Sequence, residues 1–453
     1  MNLADRQSYI SLPSFQAALD CIQSGTPITF ISGKAGTGKS TFTKNELTKL
    51  KGNTVFLSPT GIAALNIGGQ TIHSFFNLEH GPQYPERIKE SRQAEIYRKI
   101  DTLVIDEISM VRADLMDAVH WALQANRKSE AAFGGVQLVL IGDLYQLPPV
   151  VRAEERREFS GGRYANRFFF NSRAIRAAIL DQSFRYIQFS EVFRQADPRF
   201  ISLLEQVRNC SLDRELIRVL NERVCAEARL EGIEDLTVLT CTNEAANRYN
   251  SDKLEELPGP KRLYEAAIDG KFSREDFPTL PILPLKVGAK VIFIKNDPGR
   301  VWVNGTTGIV KRLRDQEIIV RIDGEDHTVP KETWEKAQYR VSDGNIEKVV
   351  VGRFVQFPIK LGWALTIHKS QSLTLNNVYL DTGRGAFDSG QIYVALSRVR
   401  RLDNLFLKQP ITDRDLLLDP SIHKFLDYIE RLAWRNEAGT TQVSPKPAQD
   451  CGS

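Results

Sequence analysis

The sequence predicts an α/β fold of two parallel-sheet lobes, the second interrupted by a small β-barrel. Three observations predict it. From residue 27 to residue 143, apolar runs, polar turns and amphipathic stretches alternate in the strand–turn–helix rhythm of a parallel sheet. The rhythm returns over residues 237–247 without a glycine-rich turn, which marks a second lobe of the same type. After it, Pro258, Pro260, Pro278, Pro281 and Pro284 break the chain, and short β-like runs at 289–295, 307–313, 317–322 and 348–357 are separated by Gly, Asp and Asn turns. A chain of 453 residues that is 42% hydrophobic is globular and too long for one core, so two to four domains are expected.

Residues 14–23 place apolar side chains at helical spacing behind Ser14, the expected N-cap. The apolar run 27–31 then leads into Gly33-Lys34-Ala35-Gly36-Thr37-Gly38-Lys39-Ser40 and an amphipathic stretch over 41–47. This is a complete G-x-x-x-x-G-K-[ST] phosphate-binding loop at a strand-to-helix junction. Its glycines let backbone N–H groups and the helix N-terminus converge on the β- and γ-phosphates of a nucleotide. Lys39 adds a point charge, and Ser40 offers a hydroxyl to Mg²⁺. Upstream, the amide of Gln16 can both donate to and accept from an adenine edge.

Residues 54–60 read as a strand ending in a polar turn, with a helix over 61–66. Residues 69–76 combine hydroxyls, His73 and two aromatics near strand C-termini, and two readings are open. They contact a phosphate backbone with stacked bases, or they are plain core. Residues 77–100 hold prolines and mixed charge with little periodicity, a small excursion from the sheet. The strand over 101–105 ends in Asp106 and Glu107, placed to hold Mg²⁺ and to act as general base for attack on a γ-phosphate; a charged turn is the plainer alternative. A helix over 113–126 and a strand over 136–143 follow. In the proline-stiffened loop at 144–150, Gln146 can sense the γ-phosphate by hydrogen bond. Residues 152–167 form a charged loop, and Arg194 is a candidate for the positive charge a second lobe must supply.

Helices over 200–230 lead into the second lobe, which resumes after the barrel at residue 359. There Thr366, His368, Lys369 and Ser370 cluster behind an apolar segment, suited to a strand edge turned toward phosphodiester oxygens. The last strand, 377–381, precedes a helix carrying Arg398, in the position expected for a residue that reaches across to the nucleotide. Beyond Trp434 the Gly/Thr/Pro/Gln-rich composition predicts a disordered tail.

A net charge of +4, from 60 basic and 56 acidic residues, leaves any nucleic-acid affinity to a local groove. Cys21, Cys210, Cys225, Cys241 and Cys451 are scattered without C-x-x-C pairs, which argues against zinc and disulfides and for a reducing compartment. The N-terminal Met1-Asn2-Leu3-Ala4-Asp5 lacks a charged-then-apolar leader and no apolar run approaches 18 residues, so a cytoplasmic protein without membrane contact is expected.

In order, residues 33–40, 57–76, 104–110, 142–150, 191–195, 365–375 and 393–400 resemble the helicase motifs of superfamily 1B. In particular the chain resembles the PIF (petite integration frequency) helicases, whose added signature is matched by residues 112–119 and 133–138, and the resemblance covers roughly residues 10–425. It implies RecA-like lobes at 1–76 with 100–182 and at 183–283 with 358–435, a wedge at 77–99, a barrel at 284–357 and a tail at 436–453. It implies that Gln16 reads adenine, that Gly36, Thr37, Gly38, Lys39, Ser40 and Thr41 cradle ATP, and that Ser40 and Asp106 hold Mg²⁺. Glu107 is then the base, and Gln146, Arg194 and Arg398 line the cleft between lobes. Single-stranded DNA is expected at Thr60, His73 and Ser74 on one lobe and at Thr366, His368, Lys369 and Ser370 on the other. The family implies 5′→3′ movement and unwinding of duplexes, forks, RNA–DNA hybrids and often G-quadruplexes, and a resting monomer is expected. Ser372 departs from the glycine more common there, with little consequence expected, and the near-core length points to a bacterial or phage source. A regulatory ATPase that binds nucleic acid without separating strands is the competing reading; a small-molecule kinase has no use for the second lobe.

Overall fold

The computed structural model describes residues 12–440 except Leu212, Glu231, Arg300 and Ser372. The readings of Met1–Asp5, Ser372, Cys451 and the tail past residue 440 therefore lie outside the described residues.

The first lobe is a six-stranded parallel sheet of β1 (Ile28–Gly33), β2 (Thr54–Ser58), β3 (Gln70–Thr71), β4 (Thr102–Ile105), β5 (Gln137–Gly142) and β6 (Phe184–Phe189), in the order β3-β2-β4-β5-β1-β6. β1 lies between β5 and the edge strand β6, with Phe30 opposite Leu140 on one side and Tyr186 on the other. All its residues are buried, as a strand covered on both faces requires. Placing the second lobe from residue 183 assigns β6 wrongly. It is an edge strand, so only its ends, Phe184 and Phe189, are buried and the continuous apolar run of its neighbours is missing.

Around this sheet, α1 (Pro13–Gln23) precedes β1, α2 (Lys39–Asn45) follows the glycine-rich loop, and α3 (Gly61–Asn66) follows β2. Ser14 does not cap α1. Leu12 is the N-cap and Pro13 opens the helix, where its missing N–H costs nothing. The excursion after residue 77 contains a 3₁₀ turn, Pro85–Arg87, and a helix, Ala94–Lys99. A buried ion network pins it: Arg112 pairs with Asp114 at 2.6 Å and Glu155 at 3.1 Å, and donates to the Gly81 carbonyl at 2.7 Å.

In the second lobe, α4 (Pro198–Arg208) packs against α5 (Gln391–Leu396), and four parallel strands form one sheet. They are β7 (Leu236–Thr240), β8 (Ala364–Thr366), β9 (Asn377–Asp381) and β10 (Leu405–Leu407), in the order β8-β7-β9-β10. The final helix, Pro420–Thr440, continues past the expected start of the tail at 436. Between β7 and β8, Lys290–Phe293, Thr307–Leu313, Glu317–Ile322, Glu325–Pro330 and Ile359–Leu361 form a five-stranded antiparallel sheet with its own core around Phe293, Val310 and Val320. The insertion reaches beyond 284–357, because Ala267–Gly270 and Ile359–Leu361 pair into its sheets.

A long hairpin, Glu332–Ser342 with Asn345–Gln356, leaves the insertion and docks on the first lobe. Tyr339 Oη accepts from the Phe56 N–H at 2.9 Å, Gln70 Oε1 accepts from the Tyr339 N–H at 3.3 Å, and Asn53 Oδ1 accepts from the Ile346 N–H at 3.0 Å.

Candidate nucleotide and nucleic-acid site

At the C-terminal end of β1 the chain turns through Gly36 (φ 81°) and Gly38 (φ 86°), left-handed conformations that a side chain would strain. Gly36 is also crowded: a Cβ there would stand 2.6 Å from that of Arg194, whose neighbour Phe193 donates its N–H to the Gly36 carbonyl at 2.9 Å. The Lys39 ammonium folds back on the loop, donating to the carbonyls of Gly33 at 2.6 Å and Lys34 at 3.0 Å. Burial pulls its pKa down, opposed by the charges of Asp143 and Glu107.

The loop forms one wall of a cleft of about 910 Å³. Gly36, Thr37, Gly38, Lys39, Ser40 and Thr41 line it together with Asp106, Glu107, Gln146 and Arg194, while Arg398 and Arg400 face them from the second lobe. Gln16 is not on this wall: it is exposed and donates to Asp20 on its own helix at 2.7 Å. Asp106 is buried, which raises its pKa, and its Oδ1 accepts the Glu107 N–H at 3.0 Å. Glu107 sits at φ 53°, a left-handed conformation uncommon outside glycine that aims its carboxylate into the cleft. Ser40 and Asp106 line this cleft and offer the hard oxygen ligands that Mg²⁺ prefers. Among the described residues no cluster of three or more His, Cys, Asp or Glu forms an all-protein metal cage.

Arg398 is 1% exposed and held by its own lobe. Its guanidinium donates to Val394 O at 2.7 Å, Ser370 O at 3.2 Å, Leu373 O at 3.3 Å and Ser397 Oγ at 2.6 Å. Burial, then the like charge of Arg194, works against its charged form, yet a guanidinium keeps its proton. Arg194 donates to Ser397 O at 3.1 Å. Three cross-lobe contacts have no signal in the motif spacing. Tyr393 Oη accepts the N–H of Ala35 in the phosphate loop at 2.9 Å. Arg208, at the end of α4, pairs with Asp143 at 3.1 Å, and Asp143 also accepts from Gln146 at 3.2 Å. Gln371 donates to Glu107 Oε2 at 3.0 Å.

Of the residues expected to meet DNA, Thr366 and Ser370 are buried, Thr60, His73 and His368 are partly covered, and Ser74 and Lys369 are exposed. Thr60 Oγ1 caps α3 by accepting from the Ala63 N–H at 3.3 Å, and the Ser74 N–H is taken by Thr71. His73 stacks on His80 with ring centroids 4.8 Å apart, and burial pushes its pKa down to about 4. His80 meets Glu275 of the insertion at 3.5 Å, and a Cβ on Gly61 would lie 3.0 Å from the Asp276 carboxylate, so an acidic turn covers this part of the first lobe. On the second lobe the Thr366 and Ser370 hydroxyls turn inward rather than outward: Thr366 Oγ1 accepts from the Lys369 N–H at 3.2 Å and Ser370 Oγ donates to Ile367 O at 2.8 Å. Both side chains are buried, since the tight turn consumes their hydrogen bonds, whereas Lys369 is exposed and burial lowers the pKa of His368.

A family profile described as PIF1-like helicase matches residues 13–216. The "ATP-dependent DNA helicase PIF1" of Danio rerio is 35% identical over 86% of this chain, and the chain spans 59% of that relative's length. The "ATP-dependent DNA helicase Pif1" of Bdellovibrio bacteriovorus is 31% identical over 93% of this chain and 92% of its own. Among solved structures, Bacteroides sp Pif1 in complex with ADP-AlF4 is 34% identical, covering 93% of this chain and 97% of that one, with a TM-score of 0.85. Bacteroides Pif1 bound to ssDNA, 35% identical and covering 94% of this chain and 97% of that one, gives 0.66. With two parallel-sheet lobes around one cleft, a phosphate loop on one wall and this likeness along most of its length, the chain belongs to the PIF1-like helicases.

Proposed function

We propose that this chain is an ATP-driven DNA helicase that tracks 5′→3′ along single-stranded DNA. Its proposed work is to separate duplexes, forks, RNA–DNA hybrids and G-quadruplexes in genome maintenance, as a resting monomer in the cytoplasm. The observation that carries the reading is the cleft walled by Lys39 on one lobe and Arg398 on the other, with the lobes also joined by Tyr393 and Ala35. A nucleotide bound there draws the lobes together, and its loss lets them part. Gln16 is assigned to adenine, for which it must leave Asp20 and reach the cleft it lies outside in this conformation, and the loop is assigned to the phosphates. Ser40 and Asp106 would hold Mg²⁺, which would supply charge to screen the phosphates. Glu107 takes the proton of the attacking water, Gln146 senses the γ-phosphate, and Arg194 and Arg398 neutralise charge that develops on it.

Thr60, His73, Ser74, Thr366, His368, Lys369 and Ser370 are assigned to the DNA track. For them to meet phosphates, the acidic turn at Glu275 and Asp276 must leave the first lobe, and the inward hydroxyls must turn. The lower similarity to the relative bound to ssDNA than to the one with nucleotide alone, at near-equal identity, supports that rearrangement. The 5′→3′ polarity rests on the family likeness. Strand displacement from 5′-tailed and 3′-tailed duplexes tests the proposal: release is expected from the 5′-tailed substrate with ATP, and release from neither would leave only a DNA-binding ATPase.

A further inference from the structure

One side chain joins the proposed DNA track to the proposed base. Gln371 directly follows the 3₁₀ turn His368–Ser370, and its amide crosses between the lobes to donate to Glu107 Oε2 at 3.0 Å, with Gln146 Oε1 at 3.4 Å. The same turn holds the arginine: the Ser370 carbonyl accepts from Arg398. A shift of these few residues therefore acts on base and arginine together. The turn is locked while its own hydroxyls bond inward, Thr366 to the Lys369 N–H and Ser370 to the Ile367 carbonyl. A phosphodiester that recruited the Ser370 hydroxyl would break its bond to the Ile367 carbonyl and reshape the turn carrying Gln371.

Building on the proposed function, we infer that Gln371 is a positioning residue that brakes hydrolysis until single-stranded DNA is seated. While its amide donates to Glu107, that carboxylate has an acceptor site filled and points along the Gln371 bond instead of at an attacking water. DNA phosphates on residues 366–370 draw the turn away, and Glu107 is freed to take a proton. The brake sits on the catalytic step, so it changes kcat and leaves the KM for ATP largely alone.

The test is steady-state ATP hydrolysis by the full chain with and without oligothymidine, for wild type, Gln371→Met and Gln371→Glu. Methionine keeps the length but removes the donor; glutamate keeps the shape but sets a like charge beside Glu107. Both variants are expected to raise the DNA-free kcat about tenfold, the scale of releasing a carboxylate from a charge-assisted hydrogen bond. The stimulation ratio should fall to match. A merely structural role would instead lower both rates. If oligothymidine stimulates wild type but the DNA-free rate of both variants stays level or drops, the inference is overturned while the helicase reading stands. If wild type itself is not stimulated, the helicase reading goes first.

Discussion

Replacing Arg398 with alanine should remove most turnover, and the structure says why the effect must be separated from folding. The guanidinium is buried and donates to three backbone carbonyls and the Ser397 hydroxyl. Leaving buried acceptors without donors costs about 1–3 kcal/mol each. Val394 O keeps the Ser397 hydroxyl at 2.9 Å and Ser370 O keeps the Leu373 N–H at 3.0 Å, so the loss concentrates on Leu373 O, and about 1–3 kcal/mol of stability is at risk. The catalytic term is separate: an arginine that neutralises transition-state charge contributes about 10³–10⁵ in rate. At about 1.4 kcal/mol per tenfold, this is roughly 4–7 kcal/mol of barrier. The assay is DNA-stimulated ATP hydrolysis, expressed per mole of protein that binds a fluorescent ATP analogue, with a thermal melt run in parallel. Arg398→Lys, which retains a charge and a donor in the pocket, controls for folding. A folded, nucleotide-binding alanine variant with kcat within tenfold of wild type would refute the role assigned to Arg398.

Two further substitutions probe the frame of the motor. Tyr339→Phe strips the Phe56 N–H of its acceptor and should weaken hairpin docking by about 1–2 kcal/mol, raising affinity for labelled oligothymidine up to about tenfold in anisotropy titrations; unchanged or weaker binding would contradict docking as a barrier to DNA. Lys290, nearly buried, donates to the Leu236 carbonyl, and burial lowers its pKa to about 8 from an ordinary 10.5. The unfolded chain therefore binds more protons between those two values, so this group's contribution to stability rises with pH across that window and its cost is fully present below pH 8. Lys290→Met should stabilise the protein at pH 7 by about 1–2 kcal/mol after the lost hydrogen bond is deducted, with the gap closing toward pH 10 in denaturant titrations. A less stable variant at pH 7 would show that the carbonyl contact outweighs the buried charge.

What could be read from the sequence was what lies within a few residues of itself. The loop from Gly33 to Ser40 carries its geometry in its spacing, and Asp106, Glu107 and Gln146 follow from strands that end beside it. Contacts between distant segments left no local trace. Gln371 meets Glu107 across 264 positions, Tyr393 meets Ala35 across 358, and Tyr339 meets Phe56 across 283. Residue type misled where two roles share one chemistry: Thr366 and Ser370 have the hydroxyls a phosphate wants, but a tight turn uses them first. β6 falls on the far side of the expected lobe boundary at 183, because an edge strand lacks the continuous apolar run that marks its neighbours. Ser14 suits an N-cap by type, yet Pro13 beside it starts the helix earlier.

The most direct test of the central claim, that one nucleotide cleft answers to one DNA track, is the ATP hydrolysis rate of the wild-type chain with and without oligothymidine, alongside Lys39→Ala. A DNA-dependent increase of about tenfold or more, abolished in Lys39→Ala, is what a cleft shared by both lobes predicts. A rate indifferent to DNA, or one that survives loss of Lys39, would mean that hydrolysis and the strand are not joined through this seam.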